Sequence, residues 1–212
     1  MDRFQVGGSL KHAFGGSTLS ASLSGGIGDA SLSRQVVAPG GPLTANGDPD
    51  GSWIAAHARA DHVLTLSKTS YLKPWLDIGL QRFLQSGFTE RGAGDFGLRV
   101  DAVGATLVSV QPRLEFGGAF AVGGAQANAT LSGGMLALFG DTDHATTVRL
   151  AGVGPDGPGF TVTDSLDDLY ATIGGHLEVR SSRSITLRAD VDALLGDSQR
   201  TYAASAKVMW SF

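Results

Sequence analysis

The sequence has no cysteine and little charge, and each shortage excludes classes of function. Without cysteine among its 212 residues, the chain has no disulfide framework, no cysteine metal site and no thiol nucleophile. Charged residues make up 17% of the chain, whereas soluble domains typically have about 25%, and the formal net charge is −4. Its 16 basic residues are dispersed, so we expect no nucleic-acid partner, because phosphates require a concentrated basic surface.

Long hydrophobic runs are missing too, and a membrane helix needs about 20 consecutive apolar residues. The longest weakly polar stretch, residues 116–129, is interrupted by four glycines, a glutamine and an asparagine. The first four residues, Met-Asp-Arg-Phe, contain no signal-peptide core. Hydrophobic residues nevertheless make up 42% of the chain, which predicts a folded protein. A membrane barrel remains open, because its apolar surface lies on every second residue.

Apolar and polar residues alternate along most of the chain, which is the period of a β-strand and not of a helix. We count ten or eleven strand-like runs, with weaker alternation at residues 96–102, 129–139 and 146–150, and find no convincing helical stripe. The alternation is clearest at the C-terminus, where one face carries Tyr202, Ala204, Ala206, Val208, Trp210 and Phe212.

The segments between the runs differ in length. Gly15-Gly16 and residues 181–183 are tight, as hairpin turns are, whereas residues 38–51, 86–95 and 152–159 are longer and rich in Gly, Pro, Asp and Asn. Counted back from the C-terminus, the joints at 181–183, 152–167 and 140–144 are short, long and short. This alternation is typical of the periplasmic turns and external loops of an outer-membrane barrel.

Strand length and composition favour a membrane barrel over a soluble sandwich. The runs at 169–180, 184–194 and 201–212 reach the roughly nine to eleven residues that cross a bilayer at a tilt, whereas soluble strands average about five to six. The proposed outer face uses many Ala and Gly, which fill a close-packed core poorly. The opposite face carries charges of both signs, at Arg59, Asp61, Lys73, Asp77, Arg99, Asp101, Arg113, Glu115, Arg149, Glu178, Arg180, Arg188, Asp190, Asp192 and Lys207. The sequence therefore predicts an all-β, antiparallel transmembrane β-barrel of about 10 to 12 strands, forming one domain over residues 1–212.

Several stretches resemble known outer-membrane proteins. The C-terminal run resembles the recognition strand of bacterial outer-membrane barrels, whose final aromatic residue is read by the insertion machinery. The stretches YLKPWL (71–76), GFTERGAG (87–94) and GFTV (159–162), the segment 167–175 and the closing hairpin are similar to the translocator domain of autotransporters. They span about two thirds of the chain.

The resemblance implies a function without catalysis: a barrel that anchors in the outer membrane and helps to translocate an N-terminal passenger polypeptide to the cell surface (type V secretion). Its partners would be outer-membrane lipid, the barrel insertion machinery and the passenger. That family usually has twelve strands and a linker helix through the pore, and neither passenger nor linker is visible before Phe4. We therefore expect a domain fragment or a shortened barrel.

Three other functions stay open on the sequence alone. A small passive porin or structural barrel shares every feature except the cargo, and a soluble β-sandwich binding protein shares the alternation. A lipase is the most distant alternative, since five histidines occur (His12, His57, His62, His144, His176) without a GxSxG motif. His62 interrupts an apolar face, with Ser67 and Ser70 as the nearby loop serines, but we interpret these histidines as solvated lumen or turn residues.

No cofactor or metal site is expected. The segment 46–51 has the carboxylate density of a calcium loop but lacks the downstream bidentate Glu, so a plain turn is the better interpretation. The glycine-rich segment 152–159 has no Walker lysine and is interpreted as an external loop. The charges Glu178 and Arg180 of one run are expected to pair with Arg188 and Asp190 of the next run, across adjacent strands, and so to stiffen the lumen.

Overall fold

The computed structural model describes residues 3–154, 157–181 and 185–210, and these residues are almost entirely β-structure. Nine strands are long: β1 (Arg3–Phe14), β2 (Ser17–Asp29), β5 (Asp50–His62), β7 (Ser70–Gln85), β10 (Val103–Val122), β11 (Ala125–Gly140), β14 (Leu169–Arg180), β15 (Ile185–Leu195) and β16 (Arg200–Trp210). Seven are short: β3 (Leu32–Ala38), β4 (Gly41–Gly47), β6 (Leu64–Thr65), β8 (Phe88–Thr89), β9 (Leu98–Val100), β12 (Asp143–Leu150) and β13 (Gly159–Ser165). Two 3-10 turns, Gly94–Phe96 and Ala151–Val153, complete the elements.

The nine long strands form one antiparallel sheet in which each strand pairs with the next long strand along the chain. With β6, which pairs with β7, this main sheet has ten strands. The long strands have 11 to 20 residues, as crossing a bilayer at a tilt requires. The predicted all-β, antiparallel class and barrel-type architecture are therefore confirmed.

The pairing register continues one apolar face across the main sheet. Because antiparallel partners point to the same side, each cross-strand pair keeps its face. One such row runs through Leu10, Ala21, Ala58, Ile78, Val110, Ala137 and Leu169. The row crosses β1 near its middle and reaches β14 at its first residue, which is the stagger expected of tilted strands. On every long strand, the residues predicted to form the apolar face therefore do lie on that face.

The sheet has almost no packed interior. Among the described residues, the buried apolar side chains are mostly alanines, and no large side chain is completely buried. In contrast, Leu10 is 79% exposed, Tyr202 is 70% exposed and Trp210 is 75% exposed. Such a surface is far larger than the apolar patches that soluble monomers tolerate, and it matches the lipid-facing band of a membrane barrel.

The two ends of the main sheet differ in the length of their connections. At one end lie the turns at 15–16, 63–69 and 123–124, and Gly123 and Gly124 both adopt positive φ, as a type I′ hairpin turn requires. At the other end lie the connections 30–49, 86–102 and 141–168, with the shorter turn 196–199. Short turns are typical of the periplasmic side and longer loops of the external side, so we refer to the turn end and the loop end.

The loop-end segments are joined into a collar, which we define as residues 30–49, 86–102, 141–154, 157–168 and 196–199. It contains the β3–β4 hairpin and a second sheet with the order β13-β12-β9-β8. Asn46 and Arg91 exchange two backbone hydrogen bonds of 2.8 Å, which link the first segment to the second. β9 pairs with β12, and the Arg149 guanidinium contacts the Asp101 carboxylate at 2.6 Å, which links the second segment to the third.

Two further contacts complete the collar. The Arg34 guanidinium forms a bidentate ion pair with Glu90, with Nη2 and Oε2 at 2.6 Å. The Asp167 carboxylate accepts hydrogen bonds from the backbone N–H and the hydroxyl of Ser198 at 2.9 Å and 2.5 Å, which tie the third segment to the last turn. These donors hold the pKa of Asp167 below its ordinary value. Each loop-end segment is therefore bonded to the next.

The structure of the collar shows that part of the predicted pattern of turns and loops is wrong. The segments expected to be loops at 38–51 and 86–95 contain β4 and β8, and the weak runs at 96–102 and 146–150 supply β9 and β12 of the collar. The joint at 140–144, expected as a short turn, lies at the loop end because the chain continues there into β12. The short turn is instead Gly123-Gly124, inside the weakly polar stretch. The joint at 181–183 falls mostly outside the described residues.

The main sheet is open, because the described residues contain no pairing between β1 and β16. Nine antiparallel strands place its first and last strands in the same direction. β1 and β16 therefore cannot close the sheet as antiparallel neighbours, and an all-antiparallel barrel requires an odd number of additional strands between them.

Replacing Glu90 with Gln is expected to loosen the collar. Arg34 holds the pKa of Glu90 below its ordinary value of 4.5, although burial opposes this. The ion pair is therefore complete above that value and is lost as the pH falls through the lowered pKa. We expect Glu90→Gln to raise trypsin cleavage at Arg91 about fivefold at neutral pH, which corresponds to about 1 kcal/mol of local stability. Because trypsin is inactive in acid, the wild type is followed there by hydrogen exchange, and protection of the Arg91 backbone N–H should fall to the level of the variant only in acid.

The matched control is Asp143→Asn, which changes an exposed collar carboxylate without a side-chain hydrogen bond among the described residues. Equal cleavage of the Glu90 and Asp143 variants would show that the ion pair does not hold the loops.

Candidate functional site

The candidate site is the polar face of the main sheet, opposite the lipid-facing band. Twelve of the fifteen charged residues expected there lie on the long strands, and their face follows from the same register. The other three, Arg99, Asp101 and Arg149, belong to the collar, because β9 and β12 are not part of the main sheet. Between the charges the face carries small residues, such as Ser20, Ser22 and Ser24 on β2.

Glu115 on β10 is the centre of one charged cluster. Its carboxylate contacts the Lys73 ammonium at 2.8 Å and accepts a hydrogen bond of 2.8 Å from the hydroxyl of Tyr71. Both partners lie on the neighbouring strand β7, and Lys73 is the direct cross-strand partner of Glu115. All three belong to stretches of alternating polarity, and the pairing register alone brings the two charges together.

The ring of Trp75 on β7 is contacted by arginine guanidinium groups. The Arg59 guanidinium lies 3.8 Å from the ring centroid, and that of Arg113 lies 5.3 Å from it, both within cation–π range. Arg113 also donates a hydrogen bond of 2.6 Å to the hydroxyl of Ser132 on β11. A side chain at Gly174 would collide with Arg113 and Ser132, so this glycine makes room for the guanidinium. The contacts of Trp75 with these arginines could not be predicted from the sequence, because Arg59 and Arg113 lie on other strands.

A third cluster joins β14, β15 and β16. Arg188 reaches Glu178 across the strands at 2.7 Å, and Arg180 reaches the same carboxylate at 2.9 Å. The expected pairing at Glu178 is therefore confirmed. Asp190 instead contacts Nδ1 of His176 at 2.6 Å and accepts a hydrogen bond of 3.2 Å from the hydroxyl of Ser205. The polar face is consequently cross-linked over its last three strands.

The structure does not bring His62 together with the two serines considered beside it. His62 pairs through Nδ1 with the hydroxyl of Ser17 at 2.7 Å, and not with Ser67 or Ser70, which bond to each other at 2.8 Å. His57 approaches Asp77 at 3.7 Å, and His12 stacks on Phe14. Within residues 3–154, 157–181 and 185–210, no three His, Cys, Asp or Glu side chains could share a metal ion, and no helix could cross a bilayer.

The two loop segments considered in the sequence have structural roles. In segment 46–51, Asn46 and Gly47 end β4 and Asp50 begins β5, so only two residues form the turn. Ala45, just before it, is 1% exposed within the collar. In segment 152–159, Gly154 has a positive φ and Gly159 starts β13, while residues 155 and 156 lie outside the described part.

The C-terminal strand has the predicted alternation. Tyr202, Ala204, Ala206 and Val208 pair with apolar-face residues of β15, and Trp210 pairs with Ile185. Tyr202 lies toward the loop end and Trp210 at the turn end, as in the two aromatic girdles of outer-membrane barrels. Phe212 lies outside the described residues.

An antiparallel sheet of long strands with one apolar surface and one charged surface has the features of the wall of an outer-membrane β-barrel. The model of the family described as Autotransporter beta-domain matches residues 1–192. The chain belongs to this family, whose members are translocator barrels of the Gram-negative outer membrane. No curated protein matches the chain. The matched range ends within β15, so β16 lies beyond it.

The Glu115 cluster predicts a specific loss of stability. Glu115→Gln leaves the Lys73 ammonium without its carboxylate partner in a half-buried position, which should lower the free energy of unfolding by about 1–2 kcal/mol. The measurement is urea unfolding in detergent micelles, followed by tryptophan fluorescence.

Asp77→Asn is the control on the same face, since its contact with His57 is 3.7 Å. Its expected change is under about 0.5 kcal/mol. A loss at Glu115 no larger than at Asp77 would contradict a stabilising role of the cluster.

Proposed function

We propose that this barrel domain, residues 1–212, anchors in the outer membrane and helps to move an N-terminal passenger polypeptide to the cell surface. The single observation that carries the proposal is the two-faced sheet of an autotransporter β-domain, with lipid outside and mixed charges inside. The mechanism is physical: the lumen admits an extended polypeptide, and no residue is required to be catalytic.

The polar face suits transient contact with such a polypeptide. Its charges are largely neutralised by neighbours, as at Glu115 and Glu178, so a passing segment meets few unpaired charges. On β2, the polar face carries the small hydroxyl side chains of Ser20, Ser22 and Ser24. A surface of this kind solvates many sequences and retains none tightly.

The C-terminal strand is proposed as the insertion signal. Its apolar face, with Tyr202, Ala204, Ala206, Val208, Trp210 and the terminal Phe212, would be read by the barrel insertion machinery. Trp210, at the end of this lipid-facing strand, lies where the aromatic girdle of the turn end is expected. Outer-membrane lipid, this machinery and the passenger are the partners proposed.

Phe212→Ala is expected to reduce assembly several-fold, because it removes the last aromatic of the signal. Assembly is measured as the fraction in the outer membrane that migrates differently on an SDS gel before and after boiling. Ala203→Ser, on the polar side of the same strand, is the control and should assemble normally. Equal assembly of both variants would argue against a terminal recognition signal.

Cross-linking tests whether the passenger passes the polar face. The chain has no cysteine, so single cysteines can be placed at will. A reporter passenger with one cysteine is fused ahead of Met1, and the barrel carries Thr130→Cys on the polar face. We expect a disulfide between the two during export.

Leu131→Cys is the control for this experiment. It occupies the next position on the same strand but lies on the apolar face, paired with Phe116. Cross-linking from both positions or from neither would contradict passage along the polar face. Ion conductance without any passenger cross-link would favour a passive porin instead.

A further inference from the structure

Arg82 lies on the face that contacts lipid. On β7 it continues the apolar alternation of Leu76, Ile78 and Leu80, and its cross-strand partners are Ile54 and Thr106. The side chain is exposed and forms no hydrogen bond or ion pair with the described residues. The other charged residues on this face, Asp29, Asp50 and Arg200, are the first or last residues of their strands, whereas Arg82 lies three residues inside β7.

A charge on this face is costly at the middle of the bilayer and tolerated near its surface. Arg82 is close to the loop end of β7. With that end outside, as the proposed function on which this inference rests requires, Arg82 comes near the level of the external lipid headgroups. A long basic side chain there extends its guanidinium toward the interface. Among the described residues, no carboxylate lies within ion-pair distance of this cation, which leaves an anionic headgroup as its complement.

A groove lies beside Arg82, toward the loop end. Its floor is a single cross-strand row, and the two small members, Ser52 and Gly104, flank Leu84 and leave room on either side of it. We call this the rim groove, a space of about 900 Å³ with the floor residues Phe4, Ile27, Ser52, Leu84 and Gly104. Leu84 is two residues from Arg82, roughly 7 Å along the strand.

Polar groups border the rim groove where it meets the collar. Asp29, Asp50, Gln85 and Ser86 line this outer edge, together with Arg3. Below Arg82, toward the middle of the bilayer, Leu80 and Ile78 continue the apolar band. From outside to inside, the surface offers the polar outer edge, then the groove floor beside the outward-extended guanidinium of Arg82, and then the apolar strip. This order suits a phospholipid's hydroxylated headgroup, phosphate and acyl chains.

We propose that Arg82 and the rim groove bind a phosphate-bearing lipid of the outer leaflet. The Arg82 guanidinium extends to the rim groove and pairs there with the phosphate, the headgroup hydroxyls meet the carboxylate, amide and hydroxyl groups of the outer edge, and the acyl chains follow Leu80 and Ile78. A guanidinium suits this ligand because its fork of donors matches phosphate oxygens.

The test measures lipid that stays bound to the folded protein. The protein is reconstituted in bilayers of the phosphate-free lipid digalactosyldiacylglycerol, doped with either phosphatidylglycerol or diacylglycerol. It is then extracted in mild detergent and analysed by native mass spectrometry. We expect retained phosphatidylglycerol and little diacylglycerol. Arg82→Gln should lower phosphatidylglycerol retention about fivefold, the effect of one basic residue near an anionic surface.

Two further variants test whether lipid retention depends specifically on Arg82 and the rim groove. Lys207→Gln removes a cation from the polar face and should retain lipid like the wild type. Ser52→Leu fills the rim groove while leaving Arg82 in place, and should also lower retention. The altered gel mobility of the unboiled sample verifies that each variant is folded, and if Arg82→Gln does not fold, Ser52→Leu carries the test.

Three outcomes would overturn the proposal. The first is equal phosphatidylglycerol retention by the wild type and the folded site variants. The second is an equal loss in Lys207→Gln. The third is full displacement of the lipid by millimolar inorganic phosphate, which would assign Arg82 to a free anion.

Discussion

The structure depends on the absence of water around its backbone. In hydrocarbon, an unpaired N–H or C=O group has no partner, so only strands that pair along their whole length can cross. This requirement explains the long β10 and β11, which pair from residue 107 to the turn at 123–124 except at Gln111 and Pro112. It also explains why apolar side chains need not pack against each other, since lipid covers them. The few buried residues of the described chain are consequently small.

The same constraint decided what could be predicted from the sequence. Alternation with a period of two fixes which face each residue takes, and it placed Ile173, Val191 and Tyr202 correctly before any pairing was known. It carries no information on which strands are neighbours. The meeting of Arg59 and Arg113 at Trp75 follows from the order of β5, β7 and β10, and the sequence alone did not reveal it.

The collar was the least predictable region. Its strands have between two and eight residues, too few for a period to be recognised, and glycine and proline made them resemble plain loops. Glu90 and Arg34 are 56 positions apart, and nothing local identifies them as partners. The joint at 140–144 was assigned to the wrong end because a hairpin that extends a loop has the same turn residues as one that joins two membrane strands.

The bonded collar also determines how the protein is recognised from outside the cell. Because Asn46, Arg91 and Arg149 belong to three different segments that pair with one another, any compact area of this surface combines residues distant in sequence. An antibody raised against the folded surface would therefore bind a discontinuous epitope. Boiling should abolish its binding, and synthetic peptides copied from any one segment would be poor vaccines against the intact cell.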